Sequence, residues 1–464
     1  MDVKHGMQPM RVSRYPHIWL IYNGEIYNHR KLQEEFKYEN TTNCDGESII
    51  HLYAHGGIEF AARHLDGVFA FCLLDTARRN IYLGRDTFGV KPLFRGFVDA
   101  KLTVCSEVKG LMDFVGEDSK VRIQHVLPGN VETYSIDTDS RVSFENAIRF
   151  HQIGDVPLYA SIFTPKGGLD SSLITALLVN LAKERRMPYR IQTFSVGMKD
   201  SPDLVAARKV ANHLGTEHHE ITFTQEEAIS VIENVIYCSE SYDVITIRAS
   251  IAMYLLCKYV KEKTDTAVIL SGEGADEIAQ GYIYFHKAPS VEEGLDESRR
   301  LCKDISMFDV QRVDRMSAAF GLEIRVPYLD HTFSSYYLSL DPGMQAPKNG
   351  LEKHLLRSVF DKTDLIPMEI LWRHKEGFSD GLTATTKSLY EMIQDFIEEK
   401  VDDSELDQCI QQYPQNPPQS KEALYYRQIF DKFYPGQSHI IPYFWMPKWS
   451  TSSDPSARTL KHYK

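Results

Sequence analysis

Paired cysteines are missing from this 464-residue sequence: the seven cysteines are odd in number, widely spaced and form no C-x-x-C pair. This excludes a disulfide framework and a zinc ribbon, and it favours a reducing compartment. A basic excess is also lacking, since 52 Lys and Arg oppose 64 Asp and Glu, which argues against a nucleic-acid partner. The early apolar run from Ile18 to Tyr22 is too short to cross a membrane, and no later run is long enough. We therefore expect a soluble cytoplasmic (cytosolic) protein with no membrane partner.

The composition that remains is that of a globular protein. Hydrophobic residues make up 43% of the chain and charged residues 25%, which excludes disordered and collagen-like chains. Because domains usually hold about 100–200 residues, the length predicts two or three of them.

Short strands dominate the first part of the chain. The pattern predicts strands at residues 17–22, 67–75, 80–84 and 102–106, with one helix at 47–55. Residues 68–74 are apolar at every position, so this strand should be buried between two layers. The sequence predicts an α+β domain over residues 1–135, followed by a weakly periodic linker over 136–165.

Helices and strands alternate in the second part, which we place at residues 166–464. Helical stripes occur at 173–184, 203–214, 226–239 and 247–263, and strands are predicted at 191–197, 220–223 and 267–270. This order predicts an α/β domain whose mostly parallel sheet is covered by helices on both faces. Ligands of such sheets bind beyond the carboxyl ends of the strands.

Three segments of this second part carry candidate chemistry. The first is G-G-L-D-S-S at residues 167–172, directly before a predicted helix. Its glycines allow close backbone approach, its serines offer hydroxyls, and the helix N-terminus offers free N–H groups, so it outlines a phosphate cradle without the Lys-Ser/Thr end of a Walker loop. A turn followed by an N-cap would explain the same residues.

The second segment is S-G-E-G-A-D-E at residues 271–277, which follows the strand predicted at 267–270. Carboxylates repel a polyphosphate unless a hard cation lies between them, so Asp170 and Asp276 together indicate an Mg²⁺ bridge to ATP. The alternative is a solvated acidic turn.

The third segment, residues 372–381, places Lys375 among Gly, Ser and Asp. The alternative here is a solvated lysine in a polar loop. The histidines form no H-E-x-x-H pattern, so a catalytic zinc site is not indicated.

Together these segments resemble one family, the glutamine-dependent asparagine synthetases, especially the animal cytosolic type. Further matching motifs lie at residues 22–28, 45–47, 65–71, 84–93, 106–111, 127–129, 193–197, 281–289 and 321–330. The family joins an N-terminal-nucleophile glutaminase domain to an ATP-pyrophosphatase synthetase domain of the adenine nucleotide alpha hydrolase-like class. The resemblance implies ATP-dependent amidation of L-aspartate to L-asparagine through β-aspartyl-AMP, with ammonia or glutamine supplying nitrogen, and a possible homodimer.

The resemblance also implies roles for individual residues. Asp170 and Asp276 would hold Mg²⁺, Lys375 would stabilise charge on the phosphates, and Glu273 would be the base for the attacking ammonia. The implied ATP-binding positions are Gly167, Gly168, Ser171, Ser172, Val196, Ser271 and Gly272. The implied glutamine-binding positions are Asn23, Gly24, Glu25 and Asp45.

Two departures from the family pattern shape the expectations. Family members carry a nucleophilic cysteine directly after the initiator Met, whereas this chain reads Met1-Asp2-Val3 and its first cysteine is Cys44. We therefore expect a truncated glutaminase domain that does not use glutamine.

The second departure precedes the phosphate cradle. Lys166 replaces a family serine, Pro165 stands where a central strand should run, and the preceding helix is missing. We therefore expect weak turnover as well. A spliced variant or a faulty gene model would each explain both gaps.

Two rival functions remain open. A β-lactam-forming synthetase shares the related chemistry and also lacks the cysteine, although residues 434–449 resemble the animal asparagine synthetases. The other rival is a catalytically impaired or inert variant that dimerises with an intact copy.

Overall fold

The structure, a computed structural model, describes residues 6–98, 101–115, 121–149, 161–163, 168–188, 190–199, 201–374, 388–450 and 454–455. Of the predicted site residues, Gly167 and Lys375 lie outside these ranges, as do Pro165 and Lys166. The chain divides into two compact units. The first holds the described residues of Met1–Pro157 with Asp330–Ser335 and Tyr434–Ile440, and the second holds the described residues of Leu158–Leu329, Tyr336–Phe433 and Ile441–Lys464. Within the described ranges, every helix is too short or too polar to cross a membrane.

Antiparallel strands build the first unit. They are β1 (Ile18–Ile26), β2 (Gly67–Asp75), β3 (Asn80–Arg85), β4 (Phe94–Val98), β5 (Lys101–Cys105), β6 (Gln124–His125), β7 (Asn130–Ile136) and β8 (Val142–Arg149). One sheet has the order β1-β2-β3-β7-β8, and a second has the order β5-β4-β6. Helices span His29–Phe36, Glu47–His64 and Lys109–Val115. The expected linker at 136–165 is therefore wrong over 142–149, because β8 pairs with β7 there. Most β8 side chains are exposed, so this strand lacks the apolar alternation that sequence reading requires.

The expectation that β2 is buried between layers is confirmed. Phe69, Phe71 and Leu73 belong to one core cluster, which also contains Ile49 and Leu52 of the adjacent helix. The intervening Ala70 and Cys72 belong to another cluster, together with Leu93, Val126 and Tyr134. Because alternate strand residues point to opposite faces, a strand with a core on each side must be apolar throughout.

The turn after β3 is held by two buried ionic side chains. Asp86 accepts hydrogen bonds from the backbone N–H groups of Val90 and Lys91, at 2.9 and 3.0 Å. Arg85 donates to the carbonyl oxygens of Gly89, Lys91 and Val126. The motif at residues 84–93 is thereby explained by structure, since these contacts satisfy backbone groups that burial would otherwise leave unpaired.

Parallel strands build the second unit. They are β9 (Ser161–Phe163), β10 (Gln192–Gly197), β11 (Glu217–Thr222), β12 (Val268–Leu270) and β13 (Glu323–Arg325), in the order β11-β10-β9-β12-β13. The predicted parallel sheet is thus confirmed. The central strand β9 pairs with both β10 and β12.

Helices surround the strands of this unit and follow them in the chain. They span Leu169–Glu184, Pro202–Leu214, Gln225–Ser230, Ile232–Ser239, Val244–Lys263, Ala275–Ile278, Val291–Asp304, Asp309–Ala318, Pro342–Gln345, His354–Phe360, Met368–Leu371, Leu389–Glu398, Asp403–Gln412 and Lys421–Phe433. A further helix, His331–Ser339, begins in the first unit and ends in the second. The single helix predicted at 226–239 is two helices, which meet at Val231.

Candidate active site

Two loops converge at the carboxyl ends of neighbouring strands in the second unit. Asp170 lies in the first turn of the helix Leu169–Glu184, and Asp276 lies in the short helix after β12. Gly272 makes their approach possible: a Cβ atom at this position would lie 2.9 Å from Cβ of Asp170 and 3.0 Å from N of Ser171. A side chain here would push the two loops apart, which is why the second loop needs a small residue.

The side chain of Lys353 joins the two carboxylates. Its Nζ lies 2.5 Å from Oδ1 of Asp170 and 2.5 Å from Oδ1 of Asp276. The two oxygens are therefore at most about 5 Å apart, close to the roughly 4 Å that separates opposite ligands of an octahedral Mg²⁺.

These oxygens fit Mg²⁺. Its sites in proteins usually contain one or two carboxylates, completed by water and substrate phosphates. Among the described residues no group of three or more His, Cys, Asp or Glu side chains could hold a metal, so an all-protein cage does not form within them.

The start of the helix Leu169–Glu184 presents backbone donors beside these carboxylates. Gly168 is its N-cap in an extended conformation, and no side chain caps the helix. Ser172 donates its hydroxyl to the carbonyl oxygen of Gly168 at 2.6 Å, and the side chain of Ser171 is buried. The arrangement leaves N–H groups of the first turn available to an anion.

Val196 and Ser271 lie at the ends of β10 and β12. Both are buried, with Val196 at 0% and Ser271 at 1% exposure. Ser271 donates its backbone N–H to the carbonyl oxygen of Arg325 at 2.9 Å. Because the side chains of both residues are buried, any contact with a nucleotide would involve their backbone more than their side chains.

A buried arginine holds Glu273. Arg312 donates to Oε1 of Glu273 at 2.9 Å and pairs with Asp309 at 2.7 Å. Burial opposes the charge of Arg312, but the two carboxylates outweigh it and raise the pKa of this arginine. Glu273 keeps one-fifth of its side-chain surface exposed, so it is fixed in place and still reachable.

Glu277 lies behind this pair in a dense group of acids. It is 2% exposed, and it accepts a hydrogen bond from Tyr282 at 2.5 Å. Burial first, and then the negative charges of Asp309 and Asp276, raise the pKa of Glu277 well above its usual value. The protonated acid is the form that this environment stabilises.

A cavity lined by cations and acids in equal number adjoins the acid pair. Its lining comprises Gly168, Leu169, Asp170, Asp203, Gly281, Glu352, Lys353, Arg357, Arg373 and His374. Of the three strong cations, Arg373 pairs with Asp203 at 3.0 Å, and Arg357 donates to two backbone carbonyls. Sequence reasoning did not assign roles to Lys353 and Arg357, which belong to no motif, or to Arg373, which lies in the segment at 372–381 where only Lys375 was singled out. The three cations face the acids Asp170, Asp203 and Glu352 of the same lining, beside the Gly168 backbone.

The glutamine-binding candidates occupy the first unit. Asn23, Gly24 and Glu25 lie on β1, where Gly24 has φ +132° and a Cβ would lie 2.0 Å from the carbonyl oxygen of Val68. Asp45 accepts from Tyr22 Oη at 3.0 Å and from the backbone N–H of Ile26 at 2.6 Å. Gly24 is thus required by its backbone, and Asp45 is anchored to the same strand.

Cys44 is beside these candidates. Its Sγ lies 2.8 Å from Tyr22 Oη. Burial is the largest effect on its pKa and raises it, as do the charges of Asp45 and Glu25, against an opposing hydrogen bond from Tyr22. The thiol is therefore protonated at neutral pH and a weak nucleophile.

Comparisons with known proteins cover the whole chain. The family described as asparagine synthase matches residues 140–301 and 292–454, and the glutamine amidotransferase domain matches residues 1–160. Glutamine-hydrolyzing asparagine synthetases of Bos taurus and Gallus gallus are each 50% identical to the chain over 504 residues, and that of Homo sapiens is 49% identical. Each alignment covers 100% of this chain and 90% of the relative. A solved structure of the allosteric regulatory enzyme of purine biosynthesis matches 47% of each chain at 22% identity with a TM-score of 0.26, too low to support an argument.

The alignments also show a difference in length. Each extends over 504 positions and includes all 464 residues of this chain, so some residues of the relatives have no counterpart within it. The extent and identity of these matches show that the chain belongs to the family of glutamine-hydrolysing asparagine synthetases.

Proposed function

We propose that the protein converts L-aspartate to L-asparagine with ATP, through β-aspartyl-AMP, releasing AMP and pyrophosphate. One observation carries the proposal beyond family membership: Asp170 and Asp276, from two different loops, meet within reach of a common cation, beside a cavity that contains Lys353, Arg357 and Arg373. Family membership implies that ATP is the co-substrate. The Asp170–Asp276 pair supports the proposal that Mg²⁺ binds with it.

The nucleotide end of the reaction would use the Gly168 backbone and the helix start behind it. These N–H groups, with Arg357 and Arg373 nearby, would bind the phosphates that leave as pyrophosphate. Mg²⁺, when bound, would neutralise phosphate charge so that the aspartate carboxylate can approach the α-phosphorus. Asp170 and Asp276 are the residues that would hold it, and Lys375 would add a further fixed positive charge at the phosphates.

The amidation step would need a proton acceptor. When ammonia attacks the activated acyl group its nitrogen becomes positively charged, and Glu273 would take the proton at its carboxylate oxygen. Arg312 orients that carboxylate, because it donates a hydrogen bond to one of its oxygens. The pair thus supplies both the base and its orientation.

The first test measures pyrophosphate release with ATP, aspartate and ammonium. We expect release that depends on aspartate, with asparagine formed in equal amount. Lys375→Ala should reduce pyrophosphate release itself, whereas Glu273→Gln should reduce asparagine formation more than adenylation. Wild-type asparagine formation in both variants would refute these roles.

The rival functions give different results in the same assay. In a substrate screen, a β-lactam-forming enzyme would release pyrophosphate with a carboxylate substrate other than aspartate. An inert variant would show no aspartate-dependent release at all. Calorimetric titration with ATP separates these cases further, because Pro165 and Lys166 before the phosphate cradle lead us to expect measurable ATP binding with weak turnover.

The nitrogen donor is the next part of the proposal. Cys44 lies beside the glutamine-binding candidates, and its raised pKa makes it a poor substitute for an activated nucleophile. We expect ammonium to support asparagine formation and Cys44→Ser to leave that rate within about twofold of wild type. Glutamate release from glutamine that is lost in Cys44→Ser would contradict this.

The homodimer and the cytosolic location stay predictions. Sedimentation velocity of the purified chain tests the first, and cell fractionation tests the second.

A further inference from the structure

Lys353 lies where the proposed chemistry needs a divalent cation. Its Nζ is 2.5 Å from one oxygen of Asp170 and 2.5 Å from one oxygen of Asp276. The lysine side chain is 3% exposed, whereas each carboxylate side chain is 19% exposed. The ammonium is therefore enclosed between the two acids and is not a solvated surface charge.

The backbone on both sides fixes this position. Lys353 adopts the left-handed conformation, φ 53°, as the N-cap residue of the helix His354–Phe360. This conformation is unfavourable for a residue that carries a Cβ atom. Its neighbour Glu352 is held twice, because its carboxylate contacts His286 at 2.7 Å and its carbonyl oxygen accepts from Arg357 at 2.8 Å. The lysine is thus directed into the site by the fold.

Gly281 provides the space that the lysine needs. A Cβ atom at this position would lie 2.1 Å from Cε of Lys353 and 2.1 Å from Oδ1 of Asp276. Gly281 also donates its backbone N–H to the carbonyl oxygen of Asp276 at 2.8 Å. The absence of a side chain at residue 281 therefore permits the contact between ammonium and carboxylate.

The two carboxylate oxygens can hold the ammonium or a divalent cation, but not both at once. An ammonium and a divalent cation on the same two oxygens would repel each other strongly in this enclosed place. The ammonium must leave before a divalent cation enters, and a polyphosphate in the adjoining cavity would give it a new anionic partner.

We propose that Lys353 is an internal counter-cation, which blocks the Asp170–Asp276 pair against a free divalent cation and vacates it when a polyphosphate arrives. This rests on the proposed function for the identity of the ligands. Lys353 acts through the two carboxylates, so it is a positioning residue. Its consequence is that divalent cation binding depends on nucleotide.

The test measures Mn²⁺ binding to the full-length protein without nucleotide or aspartate, from the loss of the free-Mn²⁺ electron paramagnetic resonance signal. We expect weak binding to the wild type and at least tenfold tighter binding to Lys353→Met, whose side chain has nearly the same length without the charge. Lys348→Met is the matched control, because it removes the same charge from an exposed position nearby. It should bind Mn²⁺ like the wild type.

A double variant shows whether the gained site is the acid pair. Asp276→Asn combined with Lys353→Met should lose the tighter binding, and its retention would overturn the proposal. Unchanged or weaker Mn²⁺ binding by Lys353→Met would also overturn it. So would low-micromolar Mn²⁺ binding by the wild type, which requires no variant at all.

Folding and function are checked separately. Thermal melting verifies each variant, and Lys353→Gln, which keeps a polar tip, replaces Lys353→Met if the latter melts far below the wild type. Aspartate-dependent pyrophosphate release by the wild type tests the proposed function alone, so failure there and failure of the Mn²⁺ titration are distinguishable results.

Discussion

Two buried glutamates, one in each unit, have pKa values shifted in opposite directions. Glu47, in the first unit, is 0% exposed and accepts hydrogen bonds from the backbone and hydroxyl groups of Thr41 and Thr42, with His51 at 3.1 Å. Burial alone would raise its pKa, but these donors lower the pKa of Glu47 to about 2. This carboxylate is ionised and serves the fold.

Glu277, in the second unit, is equally buried but lies among acids. Tyr282 donates to one of its oxygens, while the other has no hydrogen-bond partner among the described residues. Burial and the neighbouring charges raise its pKa. The comparison shows that hydrogen-bond donors can outweigh burial and keep an enclosed acid charged, as they do at Glu47 but not at Glu277. The acids around Glu277, which include Asp276, lie where cations would bind, and few donors offset their charge.

The largest effect should follow from removing one charge of the acid pair. Asp276→Asn should lower aspartate-dependent pyrophosphate release at least about a hundredfold, because the phosphates lose a fixed site for their counter-cation. Asp139→Asn removes an exposed acid of the first unit and is the matched control. Equal pyrophosphate release by the two variants would contradict the proposed role of the acid pair.

A second pair of variants compares the two glutamates directly. Glu47→Gln should destabilise the first unit by about 2–4 kcal/mol, because an amide NH₂ would face donors that now bind a carboxylate. Glu277→Gln should change the free energy of unfolding by less than about 1 kcal/mol, since a neutral amide replaces an acid already favoured in its neutral form. Denaturant-dependent hydrogen exchange, read by mass spectrometry, measures each unit separately. A larger loss in Glu277→Gln would reverse the comparison.

The smallest predicted effect is a pH dependence from Asp243 in the second unit. Burial raises the pKa of Asp243 to about 6, despite hydrogen bonds from Thr246 and Trp445. The folded state therefore binds a proton before the unfolded state does as pH falls, so this group adds stability below pH 6 and loses it as pH rises through 6. Between pH 7 and 5 the wild type should gain about 1 kcal/mol relative to Asp243→Asn. Urea unfolding at both pH values measures the difference, and parallel curves would contradict the prediction.

The sequence predicted the helices and strands that bury apolar side chains. Strand β2 is a continuous apolar run, and the helix Pro202–Leu214 repeats apolar residues at the helical period, so the positions of both could be read directly. Strand β8 could not, because it is an exposed edge strand held by backbone hydrogen bonds that leave no trace in the side chains.

The candidate site divides in the same way. Asp170 and Asp276 could be paired in advance, because both follow strands of one parallel sheet. Lys353 and Arg312 could not, since their contacts with Asp170 and Glu273 bridge 183 and 39 residues of chain and depend on where separate helices pack. Long-range charge pairing is a property of tertiary structure, and a single sequence holds no local sign of it.

Strand β2, whose alternate side chains enter two different cores, has a consequence for the coding sequence. A codon gained or lost within it would shift every later residue of the strand to the opposite face, so that Phe71 and Leu73 would exchange places with the smaller Ala70 and Cys72. One core would then be overfilled and the other left with voids, while the nine paired positions with β1 would lose their register. This stretch should therefore accept substitutions of similar volume but no single-codon insertion or deletion.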